Sequence, residues 1–299
     1  MTVPKDEVSR LALTSILGSL PKAELDSILS SPPFLPQSHL LNARDIGLVP
    51  DSAVRPGLVY RSAQVSTEAP AVAWIKEHVA AIVDLRAERE RKNNPDPEVP
   101  GVRAIWEPTE TIRHGLNPSD FVEGDGSSAW GGRYVDMLSE FRPTLRVVLE
   151  HVRDKPGQGI LVHCTAGRDR TGVTIGLLHH LAGTPPAAIL YDYMLTRLGI
   201  EPGRGVMNGA LKAAAGIENG KGEELDYVEA LAEAAKKPGF LNMAELRPTF
   251  WTFLENGVVE RFGSWERYVR LPYPDGGLGF SDADVEAIKR NLRRPQSVL

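Results

Sequence analysis

The segment Ile160-Leu161-Val162-His163-Cys164-Thr165-Ala166-Gly167-Arg168-Asp169-Arg170-Thr171-Gly172 constrains this chain more tightly than any other. Its apolar opening follows the turn-forming Pro156-Gly157-Gln158-Gly159 and has the length of a buried strand, while Thr171–Leu181 is apolar enough to be a buried helix. A strand that passes through a short loop into a helix directs the helix N-terminus, with its unpaired N–H groups, into that loop. Such a unit needs a sheet beside the strand and a layer of helices beside the helix, which points to the α/β class.

The loop suits an anion. Five residues separate Cys164 from Arg170, a spacing that lets backbone N–H groups and the helix dipole surround one tetrahedral phosphate. A cysteine at the start of such a loop is placed for nucleophilic attack. Arg170 carries a planar fork suited to two phosphate oxygens, which lysine lacks. Gly167 and Gly172 permit close backbone approach, and Ala166 keeps the site uncrowded. The candidate phosphate-binding set is therefore Thr165, Ala166, Gly167, Arg168, Asp169 and Arg170, with Cys164 and Arg170 as catalytic residues. His163 is read as bracing the loop through backbone hydrogen bonds, and Thr171 as a hydroxyl donor to the Cys164 sulfur when a covalent intermediate breaks down. Most free cysteines considered alone are small buried hydrophobes; here the company of His163, Gly167, Arg170, Thr171 and Gly172 favours chemistry.

Elsewhere the chain continues the strand-and-helix rhythm. Gly57–Arg61, Ala80–Leu85 and Val102–Trp106 read as strands, and Pro70–His78 as a helix between the first two. A helical pattern runs through Arg133–Arg153, and Pro185-Pro186 opens another helix that reaches Thr196. Residues 107–129, rich in Gly, Pro, Asp and Ser, read as a mobile loop. The N-terminus reads as two short helices, Asp6–Leu20 and Lys22–Ser30, ended by Ser31-Pro32-Pro33. The expected organisation is an N-terminal helical arm over residues 1–38 and one catalytic domain over 39–299. That domain carries a Gly-rich and helical insertion at about 199–242, including a helix at Glu223–Lys237, and a helical C-terminal extension.

Composition sets the outer limits. A formal net charge of -5 argues against a nucleic-acid binder, which needs a broad basic surface. No stretch approaches the roughly 20 apolar residues of a membrane span, and Asp6, Glu7 and Arg10 make the N-terminus an amphipathic helix rather than a signal peptide. Those acids and the lack of a basic cluster favour packing on the core over contact with a membrane. A single cysteine rules out an internal disulfide and fits the cytoplasm.

HCTAGRDRTG resembles the signature of the protein tyrosine phosphatase superfamily, and most closely that of its bacterial and fungal tyrosine/lipid phosphatase branch. That branch usually has Lys-Asp-Arg-Thr-Gly after the loop glycine; here Arg168 replaces the lysine and Asp169, Arg170, Thr171 and Gly172 match. Asn42–Gly47, Arg55–Ser62 and Asp84-Leu85-Arg86 resemble the family's upstream motifs, Asp192–Leu195 a downstream one, and Phe262–Tyr268 matches more weakly. The resemblance implies a three-layer α/β cysteine-phosphatase fold with a mostly parallel central sheet and flanking helices. It implies hydrolysis of phosphate monoesters through a cysteinyl-phosphate, with no metal or organic cofactor. The expected partner is a phosphorylated protein carrying phosphotyrosine, with phosphoserine or phosphothreonine and phosphoinositides as further substrates.

Such a reaction needs a group that protonates the leaving oxygen and then activates water. The resemblance assigns this to Asp169. Trp106-Glu107-Pro108 stands where many tyrosine phosphatases carry a Trp-Pro-Asp loop, so Glu107, Asp120 and Asp125 remain alternatives, each more readily explained as solvated loop charge. Arg168 beside Arg170 suggests affinity for a second phosphate. Arg44, Asp45, Arg61, Asp84 and Arg86, at strand ends, read as structural ion pairs before pocket-lining groups. Two competing classes remain: a module that binds a phospho-ligand without turnover, against which the intact Cys164 and Arg170 speak, and an arsenate-reducing or sulfur-transfer enzyme, which usually needs further thiols that this chain lacks.

Overall fold

Three strands bury both faces, and their side chains divide by parity. In β2 (Val59–Ser62), β3 (Ala81–Asp84) and β5 (Ile160–His163), Val59, Ala81, Val83, Ile160 and Val162 enter the larger apolar core. Tyr60, Ile82 and Leu161 enter a second, smaller one on the opposite face. A strand covered on both sides has no polar face, which is why these segments read as continuous apolar runs. With β1 (Arg44–Asp45) and β4 (Arg103–Ile105) they form a sheet of order β1-β2-β5-β3-β4. Only β1 is antiparallel; β5 lies at the centre between β2 and β3, paired Val59↔Ile160 and Ala81↔Ile160. The result is the expected three-layer α/β fold.

The computed structural model describes residues 3–109, 116–204 and 227–294. Most of the Gly-rich link expected over 199–222 and the start of the helix expected at Glu223 lie outside the described residues, as does the middle of the 107–129 loop. Among the described residues no helix is long and apolar enough to cross a membrane.

Helix α3 (Ala69–His78) covers the smaller face, where Trp74 meets Tyr60 edge-on at 5.2 Å. The larger face receives α6 (Arg142–Asp154), α7 (Asp169–Ala182) and α8 (Pro186–Gly199). The pattern expected as one helix over Arg133–Arg153 is two, α5 (Ser127–Glu140) and α6, because Pro143 lies in the first turn of α6 and favours a new start over continuation. The helix expected to reach Leu20 ends at Ala12 (α1, Lys5–Ala12), and α2 spans Lys22–Leu29. The buried Arg197 takes the carbonyls of Thr14, Ser15 and Gly18, the first two of which a helix continued to Leu20 would have used internally. Helix α1 buries Val8, Leu11 and Ala12 and packs on α8.

After α4 (Glu88–Asn93) and the helices above come α9 (Tyr227–Ala235), α10 (Phe240–Ala244), α11 (Pro248–Phe262), α12 (Trp265–Arg270) and α13 (Asp282–Leu292). Helix α11 lies against α5 at close range because Gly131 and Gly257 have no side chain: a Cβ on either would collide with Phe253 or Val135. Gly176 likewise admits the Trp251 ring onto α7. The later part of the 107–129 stretch is anchored where the buried Phe121 packs on Trp130, the rings tilted and 5.0 Å apart.

Candidate active site

The turn from β5 into α7 places Cys164 at the C-terminal edge of the central strand, 2% exposed. The loop that follows is held by its carbonyls. Gln64 N–H donates to Thr165 O at 3.1 Å, Asn42 Nδ2 donates to Ala166 O at 3.1 Å and to Gly167 O at 3.2 Å, and an Arg61 guanidinium N–H reaches Gly167 O at 2.8 Å. In a planar trans peptide the N–H points away from the carbonyl of the same unit. Three outward carbonyls therefore turn the N–H groups of Ala166, Gly167 and Arg168 the other way, toward the hollow of the loop. Gly167 makes this possible: its φ is +65°, and a Cβ there would strike the Ser62 carbonyl. Gly172 has only ordinary contact with Tyr193 and lies within α7, so neither strain nor space demands glycine at that position.

The groups that hold the loop are themselves fixed by buried charge. Arg44 Nε and Arg61 Nη1 both donate to Asp192, at 2.7 and 2.6 Å, and Arg44 also bonds Asn42 Oδ1 at 2.6 Å. Burial works against the Asp192 carboxylate, but the two guanidinium groups hold its pKa well below the ordinary carboxylate range. Arg44, wholly buried beside Arg61, is pulled down to about 10. Arg44 and Arg61 thus make the structural ion pairs expected of them, as do Asp84 and Arg86 at 3.0 Å. Asp45 does not: its oxygens accept the N–H groups of Gly47 and Gly57, closing the turn before β2.

Arg170 does not stand open to the loop with its whole fork. Its Nη1 and Nη2 both meet the Glu90 carboxylate, at 2.6 and 2.9 Å, and Nη1 also donates to Leu85 O. Nη2 lies 3.4 Å from Thr165 Oγ1 as well, so Glu90 grips the end edge of the guanidinium and no hydrogen bond among the described residues uses Nε–H. Glu90 also accepts from the Thr165 hydroxyl and the Ala87 N–H. Burial raises the Glu90 pKa, but Arg170 and Thr165 outweigh it and hold the carboxyl at about 2. Burial opposes the Arg170 charge as well, and the nearby Cys164 sulfur and Glu90 more than restore it. Sequence reading missed Glu90. The available signal was a carboxylate at the start of the helix that follows β3, next to the strand that leads into Cys164, where α/β sheets gather their site residues.

Asp169 is the first residue of α7, where the helix dipole favours a carboxylate. Its Oδ1 accepts from the Tyr134 hydroxyl at 2.7 Å and from Arg168 Nε at 2.9 Å. The rest of the Arg168 guanidinium donates to the Ala244 and Met243 carbonyls and lies 4.8 Å over the Trp130 ring. Arg168 is therefore 8% exposed and committed to the C-terminal helices, which removes the basis for expecting it to bind a second phosphate. His163 is wholly buried, with Nδ1 3.4 Å from the Cys164 carbonyl, the backbone contact expected of it, and Nε2 3.0 Å from Asp96 Oδ2, a partner not foreseen. The Thr171 hydroxyl is buried and has no hydrogen-bond partner among the described residues.

The alternative acids are not gathered here. Asp125 accepts from Ser127 and Thr249 at the start of α5, where those hydroxyls and the Ser127 N–H lower its pKa. Asp120 is exposed on a 3-10 turn, and Glu107 lines a shallow hollow with Pro143, Arg146, Val147, Glu150 and Tyr273, none of them in the loop. Asp84, Asp96 and His163 bring their ligand atoms within 4.8 Å of one another, a spacing that would suit a cation. Arg86 already bridges the two carboxylates and Arg91 takes Asp84 at 2.9 Å, so guanidinium charge fills that place.

The sequence model of the tyrosine phosphatase family matches residues 35–294. The chain belongs to this family. It is similar to a tyrosine-protein phosphatase of Nostoc commune, 25% identical over 266 residues, which covers 82% of this chain and 82% of that protein. The family makes the protein a phosphoric monoester hydrolase, and the readings as a non-catalytic phosphate-binding module or an arsenate-reducing enzyme give way to it.

Proposed function

We propose that the protein dephosphorylates phosphotyrosine in proteins through a cysteinyl-phosphate at Cys164. The observation that carries the reading is the position of Cys164, almost wholly buried at the base of a loop whose Thr165, Ala166 and Gly167 carbonyls point outward. A phosphate on the end of an aryl ring reaches such a sulfur, whereas the shorter esters of serine and threonine bring their backbone against the rim. With Arg168 turned into the protein, the support for phosphoinositides is withdrawn.

In the first step the Cys164 sulfur attacks phosphorus and the bond to the tyrosine oxygen breaks. The Asp169 carboxyl gives that oxygen its proton. The loop N–H groups and the Arg170 side edge hold the three equatorial oxygens, whose charge is what the transition state most needs neutralised. In the second step water attacks phosphorus, gives its proton to Asp169, and the sulfur leaves. The buried, uncommitted Thr171 hydroxyl is the donor assigned to that sulfur. Two displacements replace one difficult hydrolysis.

A panel of phosphotyrosine, phosphoserine and phosphothreonine peptides and phosphoinositide vesicles tests the reading with the full-length protein. Phosphotyrosine turnover should exceed the others, and Cys164→Ser should lower it by at least roughly a thousandfold. Equal rates on inositol phosphates would overturn the substrate assignment, and turnover surviving Cys164→Ser would overturn the mechanism.

A further inference from the structure

We propose that Tyr134, on α5, is a positioning residue for the catalytic acid: its hydroxyl, together with Arg168 Nε, claims one oxygen of Asp169 and so confines the transferable proton to the other. This inference rests on the reading of Asp169 as the proton donor.

The protons of the site can be counted. Tyr134 and Tyr193 are 0% and 1% exposed, and their hydroxyls lie 2.8 Å apart. Burial and the neighbouring Asp169 raise the Tyr134 pKa far above the ordinary tyrosine value, and burial raises that of Tyr193, so both phenols keep their hydrogens. An ionised carboxylate only accepts. The single Tyr134 hydrogen must therefore point to Asp169 Oδ1 at 2.7 Å, and the Tyr193 hydrogen must point to Tyr134. Arg168 Nε donates to the same Oδ1. With two donors on Oδ1, a proton taken up by Asp169 goes to Oδ2, which no hydrogen bond among the described residues occupies.

The arrangement holds whether Asp169 is charged or neutral, because a protonated carboxyl still accepts on its carbonyl oxygen. It fixes the side chain through both steps of the reaction without competing for the proton.

The support behind it comes from the C-terminal helices. Trp251 of α11 packs on the Tyr193 ring at 5.0 Å, the Met243 and Ala244 carbonyls hold Arg168, and Trp130 of α5, which packs on Tyr134 at 5.2 Å, donates its indole N–H to the Asn242 carbonyl. The C-terminal helices thus reach the acid through aromatic rings and one guanidinium.

An aryl ester with an acidic phenol leaves without help, while one with a basic phenol needs the acid. We therefore compare kcat/KM on 4-nitrophenyl phosphate and on phenyl phosphate in full-length protein, with orthovanadate affinity as a check on the loop. Asp169→Asn should lose roughly a hundredfold on phenyl phosphate and far less on the nitrophenyl ester. Tyr134→Phe, which keeps the ring and its packing, should lose about tenfold on phenyl phosphate and under about twofold on the nitrophenyl ester, with vanadate binding unchanged. In the Asp169→Asn background it should add no further graded loss. Tyr193→Phe should show the same pattern at smaller size, and serves where Tyr134→Phe does not fold.

Equal losses on both esters in the phenylalanine variants, with Asp169→Asn still graded, would overturn the role of Tyr134 alone. A flat response in Asp169→Asn would overturn the assignment of the acid, and the role of Tyr134 with it.

Discussion

Two arginine–carboxylate systems touch the Cys164–Arg170 loop, and they differ mainly in burial. Arg44 and Arg61 grip Asp192 with all three side chains at most 2% exposed, whereas Arg170 and Glu90 are 22% and 35% exposed. The buried set bonds outward-facing peptide carbonyls and, through Asn42, fixes the loop's shape. Its charges have no water to turn to, so it has one arrangement. The partly exposed pair leaves the Arg170 Nε–H without a hydrogen bond among the described residues, and water can share its charges if the pair opens. The same chemistry is scaffold in one place and working part in the other, and access to solvent decides which.

The largest effect expected from breaking this comparison is on the buried side. Asp192→Asn strands two buried guanidinium charges and should cost about 3–5 kcal/mol of stability, read by denaturant unfolding. A loss as small as that of an exposed pair would mean the two systems are alike. Next comes Arg170→Lys, which keeps the charge but has no fork to hold Glu90, the Leu85 carbonyl and the anion together. It should lower kcat on an aryl phosphate by about 10²–10³-fold, with a melting temperature close to the parent's.

Glu90→Gln should act more mildly, lowering kcat/KM about tenfold as Arg170 loses half its grip. It also carries a pH test. The Glu90 pKa falls from an unperturbed 4.5 to about 2, so the folded protein holds its proton less tightly than the unfolded chain. The stability it contributes is fully present above about pH 4.5 and is lost as pH falls toward 2. The melting temperatures of parent and Glu90→Gln should differ at neutral pH and converge across that window. A constant offset from pH 7 to 2 would show that the ion pair contributes little.

How much of this was legible beforehand follows the distance over which each feature is decided. The strands Ala81–Asp84 and Ile160–His163 stand within a residue or two of their apolar runs, because a strand covered on both faces must be apolar throughout. The split at Phe141 was marked by Pro143, a local signal left unread. The early end of α1 was not readable, since Arg197, 179 to 183 positions away, takes the carbonyls of Thr14, Ser15 and Gly18 just beyond it. Glu90, Tyr134 and Asp96 reach the site across 80, 35 and 67 positions, to Arg170, Asp169 and His163. Each is an ordinary residue in its own neighbourhood.

The sequence by itself determined the strand-loop-helix unit and the Cys164–Arg170 spacing. These follow from backbone sterics and the reach of a few peptides. Only the tertiary structure decided that Arg168 turns into the C-terminal helices, that Glu90 takes half of Arg170, and that Asp169 is held by Tyr134. A long side chain chooses among partners by burial and charge, and those belong to the folded molecule.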